Sequence, residues 1–309
     1  MLDTYRLVRL AATLVFGFSS FAVAQRTATS GTFVLHKFAK AIGSEAYSIE
    51  AKDGSYTLTS HFKFTDRGKE VPLETTFVAE AATMKPISYL AKGKASRFSD
   101  LDDVVTVSGY TVSITRSGKS ATQTTSEPWF VADGYSPVAM QEQMMRWWLS
   151  HDRPKSFTVY PSQTKVRIDP AGNLTIAGVP AHGYTVSGLI WGQESLWMDD
   201  LQNLIALVST DAEFDHFEAI RQPYEADLDV FIAAAVKADL SALATLTATS
   251  RMAPASKLAI VGATLEDSTA AALADPLADI HNTRTVWRTV SQGAVYDPAP
   301  LWQSVGFLP

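Results

Sequence analysis

The 309-residue chain contains no cysteine. That excludes disulfides, thiolate metal sites and a lipid anchor on an N-terminal cysteine, so an exported form would be held by its core alone. Positive charge is also in short supply: 26 Lys and Arg stand against 32 Asp and Glu, a net charge of −6. Without an overall basic field to collect phosphates, nucleic acid is an unsuitable partner. Histidine is sparse. His36, His61, His151, His182, His216 and His281 form neither His-x-His nor His-x-x-x-His. Zinc needs three or four lone pairs converging at about 2 Å, so no metal site and no cofactor is expected.

The first 24 residues read as a signal peptide. Arg6 and Arg9 form a basic start, "LAATLVFGFSSF" is too short for a comfortable membrane span, and Ala22-Val23-Ala24 offers small residues at −3 and −1 of a cleavage site. Gln25 would begin the mature chain, which is expected in the periplasm or outside the cell with no membrane anchor left. Hydrophobic residues make up 46% of the sequence, enough for a sizeable core.

From Gly31 to about Phe217 the apolar residues mostly recur every second position, the period of strands with one buried face. "TFVLHKFAKAIGSEAYSIEAKDGSYTLTSHFKFTD" holds three such runs, with Gly43 and the Asp53-Gly54 turn expected between them. Further hairpins are expected about Ser108-Gly109, at Pro170–Asn173 and at Asp199-Asp200. Two helices interrupt the strands. "SPVAMQEQMMRWWLSH" has Ser136 as its N-cap and Pro137 at its first position. The second begins near Pro223, with Leu228, Phe231, Ile232 and Ala235 on one face. The expected fold is mainly β (α+β): a strongly curved antiparallel sheet or half-barrel, a helix in or on its concave face, a second helix near 223–245, and a small β-rich C-terminal tail. The expected division is a β-domain over 25–222, helix and linker over 223–256, and the tail over 257–309.

Two motifs are set aside. "SGKS" (117–120) lacks the glycine that a phosphate loop needs at position 113, where Ser113 stands. "SHFK" (60–63) and "SQTK" (162–165) match the Ser-x-x-Lys of penicillin-recognising enzymes, but on a strand residues three apart point to opposite faces.

Two candidate sites remain. The first helix packs Met140, Met144, Trp147 and Trp148 closely together; with Trp191 and Trp197 these could line a groove for an apolar small molecule or a protein partner. The alternative is that the helix plugs the sheet and its large side chains are the core. "DAEFDHFE" would place Asp211, Glu213 and Asp215 on one strand face, an oxygen-rich set that suits calcium, or else a solvated acidic face beside a buried Phe214.

Three segments, two of them in the tail, carry a family resemblance. "KLAIVGATLEDSTAA" (257–271) resembles the opening of the small β-domain of the amidohydrolase superfamily. "DPLADIHNTRTV", followed by "GAVYDP", resembles the segment after that family's barrel, and "SGLIWGQESLWMDDLQNLIALVSTDAEFDHFEAIRQPYE" is similar to an N-terminal β-domain of some exported members. The resemblance implies an exported amidohydrolase-like protein from which the metal-dependent (β/α)8 barrel is missing. Such a barrel takes about 250 residues, and only a few lie between Ala271 and Asp275. The implied function is a non-catalytic β-domain, with binding of an apolar ligand or partner as its role. The alternative is a metal-dependent amidohydrolase working only with a separate barrel subunit or through an unrecognised site. Without a barrel to cover them, Val286, Trp287, Val290 and Val295 leave an apolar face on the tail, which invites homodimerisation, docking on the β-domain or disorder.

Overall fold

The computed structural model describes residues 29–125, 128–211 and 216–250, with the short stretches 264–265, 271–272, 289–291, 294–297 and 299–304 of the tail. Eight strands run in meander order: β1 (Thr29–Lys37), β2 (Lys40–Lys52), β3 (Ser55–Asp66), β4 (Lys69–Glu80), β5 (Pro86–Ser96), β6 (Ser99–Ser108), β7 (Thr111–Arg116) and β8 (Lys119–Thr124). Then come β9 (Trp129–Ala132), helix α1 (Val138–Ser150), β10 (Phe157–Pro161), β11 (Thr164–Pro170), β12 (Leu174–Ile176), β13 (Val179–Ser187), β14 (Gly192–Met198), β15 (Leu204–Asp211) and β16 (His216–Arg221). A 3-10 turn (Gln222–Asp227) leads into α2 (Leu228–Ser250). In the tail, β17 (Thr264–Leu265) pairs with β18 (Ala271–Ala272), β19 (Thr289–Ser291) pairs with β20 (Ala294–Tyr296), and α3 (Ala299–Ser304) lies against α2.

All sixteen strands from β1 to β16 belong to one sheet, ordered β8-β7-β6-β5-β4-β3-β2-β1-β16-β15-β14-β13-β11-β10-β9, with β12 on β13. Every pairing is antiparallel except β9 with β10. The sheet is rolled so far that β10 comes against β6 and β7, and β9 against β5. This is the curved, mainly β architecture that period-two patterning implies, with a helix in the concavity. The acidic stretch 212–215 and residues 1–28 and 251–263 lie outside the described residues.

The curl has a local cause. Gly43 is not a turn but sits inside β2, opposite Phe64 of β3. A Cβ there would lie 2.1 Å from the Lys63 carbonyl oxygen. The turn falls instead at Phe38 and Ala39, both with positive φ. Gly93 on β5 (φ 141°) is a second such point, where a Cβ would lie 2.3 Å from the Pro72 carbonyl oxygen. Glycine at these two positions lets adjacent strands cross closely, which bends the sheet.

The rolled sheet packs on both faces. Its concave side encloses α1 in a core that includes Phe33, Leu58, Phe77, Phe130 and Phe157. Helix α1 has no glycine or proline and one β-branched residue, Val138, at its first position, so its interior favours helix. Trp147 packs between Phe130 and Phe157, with ring centroids 5.5 and 5.0 Å away. On the convex side α2 lays Leu228, Phe231 and Ala235 on Ile205, Val208 and Ile220.

Gly43→Ala is expected to destabilise the fold by about 3 kcal/mol, because backbone rather than a movable side chain blocks the new methyl. Urea unfolding measures this, and an unchanged midpoint would show that β2 and β3 separate there at no cost.

Candidate binding site

Helix α1 is buried on every side, eleven of its thirteen residues among them. A helix in that position is expected to be apolar all round. This one carries Gln141, Glu142, Gln143 and Arg146, all buried. The wall supplies partners for Gln141, Glu142 and Arg146, while Gln143 Nε2 and Gln141 Oε1 meet no hydrogen-bond partner among the described residues. Glu142 accepts from Arg221 Nη2 at 2.5 Å and from the Leu204 N–H at 3.2 Å, and it pairs with Arg146 one helical turn on. Arg146 Nε donates to the Gln202 carbonyl at 2.7 Å and its Nη2 to Asn203 Oδ1 at 2.8 Å. Arg221 Nη1 donates to the Tyr47 hydroxyl at 2.7 Å, and its guanidinium lies 4.9 Å from the centre of the Phe33 ring. A buried ion pair is favoured when its remaining lone pairs and protons are also hydrogen-bonded, and here the Leu204 N–H, the Gln202 carbonyl, Asn203 and Tyr47 supply most of those partners. Glu142→Gln leaves two guanidinium groups short of a counter-charge and is expected to cost roughly 3–5 kcal/mol in urea unfolding. A loss below the error of the measurement would mean that solvent or a neighbouring carboxylate takes over the role.

The N-terminus of α1 is capped from across the molecule. Ser136 does not cap it: its hydroxyl accepts from the Asp133 N–H at 2.7 Å, closing the loop that leads in, and Pro137 takes the N-cap position. The cap is Glu45 of β2. Its carboxylate accepts from the Val138 N–H at 2.7 Å, the Ala139 N–H at 3.1 Å and the Ser60 hydroxyl at 2.6 Å. A carboxylate here also meets the positive end of the helix dipole. The incoming loop is clamped by Arg116, which bonds both Asp103 and Asp133, while the Tyr135 hydroxyl donates to Asp103 at 2.6 Å.

Burial pushes Glu45 up to about 7, against the opposing pull of Ser60 and the two helix N–H groups. Glu194 of β14 is likewise pushed up to about 7 by burial, opposed only by the Gln141 side-chain amide, which donates to it at 3.2 Å. A carboxyl whose folded-state pKa lies above its unfolded value favours folding while both states are protonated, and that advantage is lost as pH rises through the folded value. Stability is therefore expected to fall between about pH 4.5 and pH 7.5. For Glu194 the span from 4.5 to about 7 corresponds to roughly 3 kcal/mol. Glu194→Gln should flatten the profile, gaining stability at pH 8 and changing little at pH 4.5, as read by urea titrations at both values. An unaltered pH slope would assign the dependence to other groups.

Beyond the N-terminal end of α1 the concave apolar face continues along β2, β3 and β16. Phe62 lies opposite Glu45 in register, and Phe64 lies two residues further toward the β3–β4 turn. Phe62 packs on Phe64 (centroids 5.8 Å apart) and on Phe217 of β16 (6.3 Å). These three, with Ile42 and Leu101, are only half-buried, and they form an apolar mouth at one end of the rolled sheet. Lys37 is the register partner of Phe217 at its margin.

The residues singled out from the sequence fall in different places. Met140, Met144, Trp147 and Trp148 meet in the concave core, each at most 4% exposed. Trp197 points to the other side of the sheet, under α2 and 5.2 Å from the Phe231 ring. Trp191 is half exposed in the β13–β14 turn. The six therefore do not share one surface. Glu213 and Asp215 lie outside the described residues, and Asp211 ends β15. Among the described residues no group of three or more His, Asp or Glu is poised to hold a metal ion. Sequence reasoning missed Glu45, Glu142, Glu194 and Arg221, each of which has a decisive partner more than 50 residues away. It also missed the mouth, although the alternation in "HFKFTD" was its signal.

No family model matches the chain, and no curated protein matches it. Among solved structures, it is similar to a β-barrel-like protein of the domain of unknown function DUF1849 from Brucella abortus, at 8% identity and TM-score 0.42, covering 62% of this chain and 94% of that one. A DUF1329 family protein from Desulfovibrio piger matches at 10% identity and TM-score 0.16, over 63% of this chain and 82% of that one. The amidohydrolase resemblance is thereby corrected: these matches are to other families, and no amidohydrolase is among them. The physical reason lies in the sheet. Strands β14, β15 and β16, within the stretch that carried part of the resemblance, belong to the main sheet, and β16 pairs directly with β1. They complete a sheet already filled by its own helix, rather than flank an absent barrel.

Proposed function

We propose that this chain is an exported, non-catalytic β-domain that holds an apolar molecule or partner segment in the mouth of its rolled sheet. The observation that carries the reading is the half-buried aromatic face of Phe62, Phe64 and Phe217, which prolongs the concave core past the end of α1. Pockets of this kind are concave, mostly apolar and bordered by a few polar groups. Two further features support it. Glu45 is committed to the helix cap and Glu142 to two arginines, which suits a structural task for these two carboxyls. The N-terminal pattern of basic start, apolar run and Ala-Val-Ala supports export.

Native mass spectrometry of the mature protein from an exported preparation, paired with titration of a fluorescent long-chain fatty acid, tests the reading. The wild type should carry an adduct lost on mild activation, or bind the probe in saturable fashion. Phe64→Asp, which puts a charge into the mouth, should weaken probe binding at least tenfold. A clean apo mass together with no saturable binding overturns it.

A further inference from the structure

The buried carboxyls of the interior differ in what they meet. Glu142 and Asp103 face arginines, and Glu45 faces the start of α1. Glu194 meets only the side-chain amide of Gln141, which donates to its Oε1 at 3.2 Å. Its Oε2 and the Oε1 of Gln141 are both enclosed, and neither has a hydrogen-bond partner among the described residues. Two enclosed acceptors without a donor destabilise a fold, whereas apolar side chains of the same shape would not. Their presence is accounted for by a donor that comes from outside the chain.

The strand register places this pair at the mouth. Glu194 stands opposite Ser209, Ser209 opposite Phe217, and Phe217 opposite Lys37, a single row across β14, β15, β16 and β1. Cross-strand partners share a face, so Glu194 lies on the same concave surface as the mouth ring Phe217. The next row inward, Leu196, Leu207, Ala219 and Leu35, is fully buried. Gln141 comes to Glu194 from the first turn of α1, the end that faces the mouth. The charged groups around Glu194 do not neutralise it. Lys37 is the basic residue of the row, three strands and about 14 Å away. Glu142, beside Gln141, is turned to its two arginines. Asp211 takes the next outward position on that face of β15, opposite Gly192.

We propose that the mouth recognises an amphiphile with a primary-amine head, its ammonium held by Glu194 and Gln141 and its apolar chain laid on Phe62, Phe64 and Phe217. The inference rests on the mouth being a binding site and names the chemistry of what it binds. Two adjacent acceptors suit a head with several donors: an ammonium has three, a hydroxyl one and a carboxylate none. The ammonium also brings the counter-charge that Glu194 lacks. Because both oxygens are enclosed, the head reaches them by displacing side chains of the mouth, where Phe62, Phe64 and Phe217 are only half-buried. Burial pushes Glu194 up to about 7, so its full negative charge is offered only above that value. An alkylammonium keeps its proton to about pH 10. Amine binding is therefore expected to strengthen as pH rises through neutrality, with release of the Glu194 proton.

Competition against the fluorescent fatty-acid probe tests it, using decylamine, decanol and decanoic acid on the mature chain at about pH 5 and about pH 8. The amine should bind about tenfold or more tighter than the alcohol at the higher pH, and about as tightly as the alcohol at the lower. Glu194→Gln keeps the shape of the side chain, removes its charge and is expected to be the more stable protein at the higher pH, so it reports on recognition rather than folding. It should bind amine and alcohol alike at both pH values. Glu74→Gln, which removes an exposed carboxylate elsewhere on the sheet, should keep the wild-type preference. An amine that binds no tighter than the alcohol at the higher pH overturns the proposal and leaves the mouth standing, as does a preference that survives in Glu194→Gln. If neither the probe nor any of the three competitors binds, the reading of the mouth falls and this inference falls with it.

Discussion

Four residues join the two ends of the sheet. Strands β8 and β9 stand first and last in the strand order, yet Thr124 and Trp129 are separated only by residues 125–128. Laid flat at roughly 4.8 Å per strand, those ends would be about 67 Å apart, whereas so short a link spans at most about 17 Å. The sheet has to roll. Rolling makes an inside, and the segment that follows β9 at once, α1, is what fills it.

A helix enclosed in this way cannot leave a polar group to water, and α1 has several. The wall answers most of them from different strands: β2 caps its first turn, β16 and the start of β15 hold Glu142, and β14 faces Gln141. Such contacts add less to net stability than apolar residues of the same shape would. They fix the rotation and depth of the plug instead. The depth matters for the mouth, because the end of α1 at Glu45 is also where the exposed aromatic face begins.

Much of this was legible in the sequence, and the gaps have physical reasons. Period-two alternation revealed the strands, and Asp53-Gly54 marked its hairpin because glycine supplies the positive φ a tight turn needs. The first hairpin was misplaced because Phe38-Ala39 carries no turn signal, while Gly43, which resembles one, serves close strand crossing inside β2. Glu45 in "GSEAYS" reads as a solvent-facing acid because its partners are two backbone N–H groups more than 90 residues away. The apolar helix residues could be identified as a cluster, but the two sides of a sheet cannot be told apart without its register, so Trp197 was grouped with residues it never meets. The tail motifs suggested a family only while the strands before them were read as a flank to something else.

The way α1 is held also determines how the chain can fold. Its anchoring contacts join residues 93, 79 and 62 positions apart, and they draw on both the strands made before the helix and those made after it. Neither half of the sheet can complete its interior while the other is unformed. Contacts of this separation slow folding, since chain entropy must be given up before they form. Wall and plug are therefore expected to behave as one cooperative unit, slow to assemble, with no half that persists alone.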